Sequence, residues 1–202
     1  MLNIFARASV SKLLDPMGAW LLRVGVGPDA ITVAGTVGAV ASALWFFPRG
    51  QLFAGTFAVL VFVLFDLLDG AVARARGHGT PFGTVLDATC DRLADGALFA
   101  GLTWWAFGAG NRPLAAAALI CLVTAQVISY IKARATATGL TADGGMVERA
   151  ERYIVTLVGT GLAGLGLPYA LDVALWLLAV AQVVTVVQRM LAVHRSAAEQ
   201  ES

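Results

Sequence analysis

The chain has 202 residues, 58% of them hydrophobic and only 13% charged, and its mean hydropathy is +0.78. Soluble domains carry about 25% charged residues, so a water-soluble globule is excluded and an integral membrane protein is expected. A net charge of +1 gives no basis for nucleic-acid binding, and Cys90 and Cys121 suggest neither a disulfide framework nor a zinc site.

The N-terminal segment places Leu2, Phe5, Val10, Leu13, Met17, Leu21 and Val24 at roughly helical intervals, with Asn3, Arg7, Ser11, Asp15 and Arg23 on much of the other side. This spacing predicts an amphipathic helix lying in the membrane interface, over residues 1–28 and broken at Asp15-Pro16. No apolar core with a small-residue cleavage site precedes it, so insertion is expected to rest on internal spans. Gly27-Pro28-Asp29 ends the segment, with Asp29 placed to cap the next helix.

A helix needs roughly 20 apolar residues to cross the hydrocarbon core. Six such stretches follow: Ala30–Phe47, Leu52–Ala73, Thr84–Phe107, Pro113–Ala133, Tyr153–Leu167 and Tyr169–Val193. The fifth is short and rich in glycine, and its boundary with the sixth falls near Gly166-Leu167-Pro168. The expected fold is therefore all-α: a six-helix bundle over residues 30–193 with an N-terminal interfacial helix, forming one membrane domain from 1 to 202.

Basic residues fall mainly on one side of these spans. Arg7, Lys12, Arg23, Arg74, Arg76, Lys132, Arg134, Arg149, Arg152, Arg189 and Arg195 share a face, whereas only Arg49 and Arg112 lie on the other. The positive-inside bias then predicts that both termini face the cytoplasm, in the plasma membrane.

The second and third spans carry acids near their facing ends. The run reads Asp66-x-x-Asp69-Gly70-x-x-Ala73-Arg74, then eight residues, then Gly83-x-x-x-Asp87-x-x-x-Asp91. Ionisable groups inside an apolar helix are expensive and mark function. Asp66 and Asp69 are three apart, and Asp87 and Asp91 four apart, so each pair shares a helix face. If the two helices pack side by side, the carboxylates converge and repel one another in a partly dehydrated cleft. Two divalent cations would balance them, and oxygen ligands without His or Cys favour Mg2+ or Mn2+ over zinc. Such a pair can clamp a phosphoryl group. Gly70, Ala73 and Gly83 remove side-chain bulk beside the acids, which leaves room for a flat ligand.

This pattern closely resembles the signature of the CDP-alcohol phosphotransferase family, with every defining position present at the family's spacing. The likeness extends to the six spans and the amphipathic start. It implies an enzyme that joins a CDP-linked lipid to an alcohol and releases CMP. By that resemblance Asp66, Asp69, Asp87 and Asp91 are metal ligands, and Asp91 is also the catalytic base toward the acceptor hydroxyl. Asp29, Ala30, Ile31, Thr32, Gly70, Arg74 and Thr80 would bind the donor, CDP-diacylglycerol; the family often has Asn where Asp29 stands. Asp95, one turn beyond Asp91, lies outside the signature and is expected to pair with Arg92. A homodimer among membrane lipids is implied as well.

The signature leaves the acceptor open. Lys132, Arg134, Arg149 and Arg152, with Arg195 in the tail, lie on the side of the acids and suit an acceptor that already carries phosphate. These segments resemble the actinobacterial branch of the family that uses inositol phosphate. That likeness makes Lys132, Arg152 and Arg195 the leading phosphate contacts, with Ser129, Arg134 and Arg149 behind them. The rival acceptor is glycerol phosphate, as in phosphatidylglycerophosphate synthesis. A divalent-cation transporter is the alternative from another class. It would place acids near mid-membrane with polar paths on both sides, whereas these acids gather at one end of two spans.

Overall fold

The computed structural model describes residues 16–17, 20–65, 70–72 and 79–201, and is helical with no strand among them. Most of the expected interfacial helix, and Asp66, Asp69, Ala73 and Arg74, lie outside the described residues. The helices are α1 (Pro28–Phe46), α2 (Leu52–Val63), α3 (Pro81–Gly108), α4 (Arg112–Ala137), α5 (Arg149–Gly164) and α6 (Ala170–Glu201), with a 3-10 turn at Phe47–Arg49. Three of these stretches are long and apolar enough to cross a membrane: Pro28–Arg49, Arg112–Ala137 and Ala170–Gln200. The all-helical, membrane-type reading holds.

Helix starts follow local chemistry. Pro28 and Pro81 open α1 and α3, where a missing N–H costs nothing. Asn111 caps α4 by accepting from the Leu114 N–H at 3.1 Å, and its amide also donates to Asp172 at 2.8 Å. Glu148 and Glu151 form a capping box at the start of α5. The expected break before the last helix is present: Gly166 has φ 90° and Tyr169 φ 58°, a reversal around Pro168. The last helix continues past the expected end at Val193 to Glu201. Hydropathy stops where Ser196, Glu199 and Gln200 begin, but backbone hydrogen bonding does not.

The chain forms two compact units. The first comprises Met1–Ala43 and Phe57–Ala97, the second Leu44–Thr56 and Leu98–Ser202. In the first, Gly35 and Gly38 of α1 meet Phe65 and Phe62; a Cβ on Gly35 would lie 2.8 Å from the Phe65 Cβ. Small residues here permit the close helix approach that membrane packing depends on. Thr32 and Thr36 donate their hydroxyls to the carbonyls of Pro28 and Thr32, at 3.1 and 2.8 Å, which hides polar groups inside an apolar helix.

In the second unit, Ala115, Ala117, Ala118, Cys121 and Ala125 make a fully buried seam along α4. The Cys121 thiol meets the Leu175 carbonyl at 3.6 Å, and the Thr124 hydroxyl donates to the Gln182 side chain at 2.9 Å. Gly159 packs on Ala174, and Gly164 on the backbone of Phe53. Ile131, Ala135 and Ala142 form a smaller buried cluster with Leu140, Val186 and Val193.

Candidate functional site

In the first unit, α3 presents Asp87, Asp91 and Asp95 one turn apart on a face that grades from exposed to buried. Asp87 is exposed, the Asp91 side chain is 18% exposed, and that of Asp95 is fully buried. Arg92 lies between the last two, its guanidinium 3.7 Å from Asp91 and 3.5 Å from Asp95. The expected pairing of Asp95 with Arg92 is therefore present. It leaves Asp87 and Asp91 as the two carboxylates of this face that can reach a ligand.

The start of α3 is built around Thr80. Its hydroxyl oxygen accepts the Gly83 N–H at 2.9 Å, and its carbonyl accepts the Thr84 hydroxyl at 3.3 Å. A Cβ on Gly83 would lie 3.1 Å from the Thr80 hydroxyl and 3.2 Å from an Asp29 carboxylate oxygen. Thr80, Gly83 and Asp29 thus converge, and glycine keeps that small space open. Asp29 is half-buried and Ala30 exposed, but Ile31 and Thr32 are each only 6% exposed. Within this segment Asp29 and Ala30 can meet a ligand directly; Ile31 and Thr32 support them from beneath. Gly70 is half-buried in a helical stretch with Ala71 and Val72, both buried.

Among the described residues no three His, Cys, Asp or Glu side chains gather as a metal site. Asp87 and Asp91 contribute hard oxygen donors to one accessible face, a donor set that fits Mg2+ or Mn2+. The other two acids of the motif lie outside the described residues.

The basic residues belong to the second unit. Lys132 and Arg134 are exposed near the end of α4, and half-buried Ser129 donates to the Ala125 carbonyl at 3.1 Å. Arg149 stands 5.2 Å from the Tyr153 ring centre. Arg152, in the first turn of α5, is only 2% exposed. Arg195 is exposed on α6.

One residue was missed as a site candidate. Arg189 is 4% exposed, donates to the Gly144 and Ile128 carbonyls at 3.2 and 2.9 Å, and has Glu148, Arg152 and Asp143 as charged neighbours. Glu148 and Asp143 offset the repulsion between the two buried guanidiniums of Arg152 and Arg189. The signal was available: Gln182, Thr185 and Arg189 make a polar stripe in an otherwise apolar helix, the same anomaly that singled out the acids.

Residues 26–195 match the sequence profile of the CDP-alcohol phosphatidyltransferase family. The chain belongs to that family. Within it, the chain is 55% identical to phosphatidylinositol phosphate synthase of Mycobacteroides abscessus, over 97% of this chain and 90% of that protein. It is 57% identical to the synthase of the same name from Mycobacterium tuberculosis strain H37Rv, over 94% and 89% respectively. The crystal structure of the M. tuberculosis enzyme with CDP-DAG bound superposes with a TM-score of 0.87 at 58% identity, covering 90% of this chain and 94% of that one. A second structure of that enzyme, in complex with manganese and citrate, also gives 0.87 at 57% identity over 91% and 90%.

Proposed function

We propose that this member of the CDP-alcohol phosphatidyltransferase family transfers the phosphatidyl group of CDP-diacylglycerol to a hydroxyl of inositol phosphate, giving phosphatidylinositol phosphate and CMP. The observation that carries this reading is identity of 55–57% over nearly the whole chain to phosphatidylinositol phosphate synthases. The relative solved with CDP-DAG bound supports the donor. The matched span runs through both compact units, which favours one membrane domain.

The acceptor hydroxyl oxygen bonds to the phosphorus that bears the diacylglycerol, and the bond from that phosphorus to the CMP oxygen breaks. Asp91 takes the hydroxyl proton. Its partial exposure suits it to reach an incoming alcohol, while Arg92, shared with buried Asp95, lies 3.7 Å from its carboxylate. Asp66, Asp69, Asp87 and Asp91 would hold two divalent cations, Mg2+ or Mn2+. Such cations supply charge neutralisation at the phosphates and lower the pKa of a bound hydroxyl; the relative's complex with manganese favours this class of metal. Asp29, Ala30 and Thr80 bind the nucleotide end beside the gap kept open by Gly83, with Ile31 and Thr32 beneath, and Gly70 and Arg74 complete that pocket. Lys132, Arg152 and Arg195 hold the acceptor phosphate, supported by Ser129, Arg134 and Arg149, and buried Arg189 joins them.

The same reading has six spans, an N-terminal interfacial helix, termini and active site on the cytoplasmic side of the plasma membrane, and a homodimer. The test is CMP release by the purified protein from CDP-diacylglycerol with inositol phosphate, glycerol phosphate or free inositol. Preference for inositol phosphate is expected. Preference for glycerol phosphate would overturn the acceptor and leave the donor chemistry standing.

A further inference from the structure

The segment 138–148, between α4 and α5, is rich in glycine and polar residues, yet α6 holds its backbone at five points. The Thr141 N–H donates to the Ser196 hydroxyl oxygen at 3.1 Å, the Met146 N–H to the Gln188 side-chain amide oxygen at 3.1 Å, and the Val147 N–H to the Thr185 hydroxyl oxygen at 3.2 Å. In the other direction, Arg189 donates to the Gly144 carbonyl at 3.2 Å, and the Gln200 amide to that of Gly139 at 2.8 Å. Residues 185, 189, 196 and 200 recur at spacings that keep them near one face of a helix, and Gln188 flanks them. A Cβ on Gly145 would lie 2.7 Å from the Thr185 methyl group, so the loop is pressed onto α6 where its own φ is 121°. Beneath it Ala142 is buried, with Leu140 packed beside Val186 and Val193.

Holding a glycine-rich loop this firmly opposes a large conformational entropy. A mere connector would not need it. The loop joins the end of α4, bearing Lys132 and Arg134, to the start of α5, bearing Arg149 and Arg152. Fixing its path fixes the register of those two basic groups. We propose that the polar face of α6 is a splint for the acceptor site, in which Thr185 and Gln188 are positioning residues. They act through the Val147 and Met146 amides and set affinity for the phosphorylated acceptor without touching it. This rests on the acceptor reading given above.

The experiment uses the full chain in lipid nanodiscs, with CMP release measured against inositol phosphate and glycerol phosphate. Thr185→Val and Gln188→Leu each remove one accepting oxygen; Thr185→Ser and Gln188→Glu retain it. Each loss should raise the acceptor KM roughly fivefold, the effect of one hydrogen bond. kcat and the donor KM should stay within about twofold, and Ser and Glu should restore the native value. Hydrogen exchange at Met146 and Val147 should quicken in the same variants. An unchanged acceptor KM despite faster exchange would overturn the splint. So would a parallel fall in kcat and both affinities with no rescue. If Thr185→Val does not fold, Gln188→Leu, at an exposed bond, carries the test alone. Preference of the unmutated chain for glycerol phosphate overturns the choice of acceptor, and the splint is then judged on that substrate.

Discussion

Asp91 is distinguished from its neighbours by partial access. Asp87, one turn earlier, is exposed and Asp95, one turn later, is fully buried, so of these three Asp91 combines partial access with a guanidinium 3.7 Å away. A carboxylate that removes a proton in the transition state contributes typically 10²–10⁴-fold. Asp91→Asn should therefore lower kcat by at least about a hundredfold, while the titration midpoint for CDP-diacylglycerol stays near the native value. Near-normal turnover in this variant would remove Asp91 from the chemistry. Asp87→Asn differs in that Asp87, in the proposed site, serves the cations and has no part in removing the proton. Activity and Mn2+ binding, followed by paramagnetic resonance, should weaken together; tight Mn2+ binding in an inactive variant would contradict the ligand assignment. Chelation of the native enzyme should abolish CMP release, and added Mg2+ or Mn2+ should restore it.

Among the helices, the glycines separate into those that meet something and those that do not. Gly164 lies on the backbone of Phe53, which cannot give way as a flexible side chain would, whereas nothing lies within 4 Å of a Cβ at Gly96. Overpacking costs typically 1–3 kcal/mol. Gly164→Ala should therefore lower the thermal midpoint of the detergent-solubilised protein, and Gly96→Ala should hold or raise it by favouring the helix. Equal midpoints would mean that α5 does not depend on this approach. The helices themselves were legible from apolarity and length: each of the six expected stretches overlaps a helix, and three of those are long and apolar enough to cross a membrane. Asp87, Asp91 and the pairing of Asp95 with Arg92 were legible for a related reason: helical spacing puts them on one face. The polar stripe of Gln182, Thr185 and Arg189 was legible as an anomaly, but the distant partners of Thr185 and Arg189 were not, because they are backbone groups far away in the chain and no pattern of side chains records which carbonyl a guanidinium will meet. The end of α6 was set short at Val193 for a similar reason, since hydropathy registers solvent preference and the helix ends by hydrogen bonding.

For the molecule as a whole, the unequal distribution of cations makes a prediction about orientation. Arg49, one of only two basic residues on the sparse side, stacks 3.6 Å from the centre of the Trp45 ring and donates to the Trp45 carbonyl at 2.7 Å. That arrangement suits the membrane–water interface, where an aromatic ring and a cation both find favourable surroundings. In the proposed orientation the opposite, cytoplasmic side carries the acids and most of the lysines and arginines. The proposed acceptor, a phosphorylated and membrane-impermeant molecule, would have to be met there. Cysteine labelling can test this directly, because the native Cys90 and Cys121 are buried and should react little. Exposed Ala109, in the turn before α4, and exposed Ala198, near the end of α6, are suitable positions. Ala109→Cys should react with an impermeant maleimide added to intact cells, and Ala198→Cys only after the membrane is opened. The reverse pattern would place the catalytic acids outside the cell, away from CDP-linked lipid, and would overturn the orientation. Labelling of both in intact cells would put them on one side, with an even number of spans between them instead of the expected three.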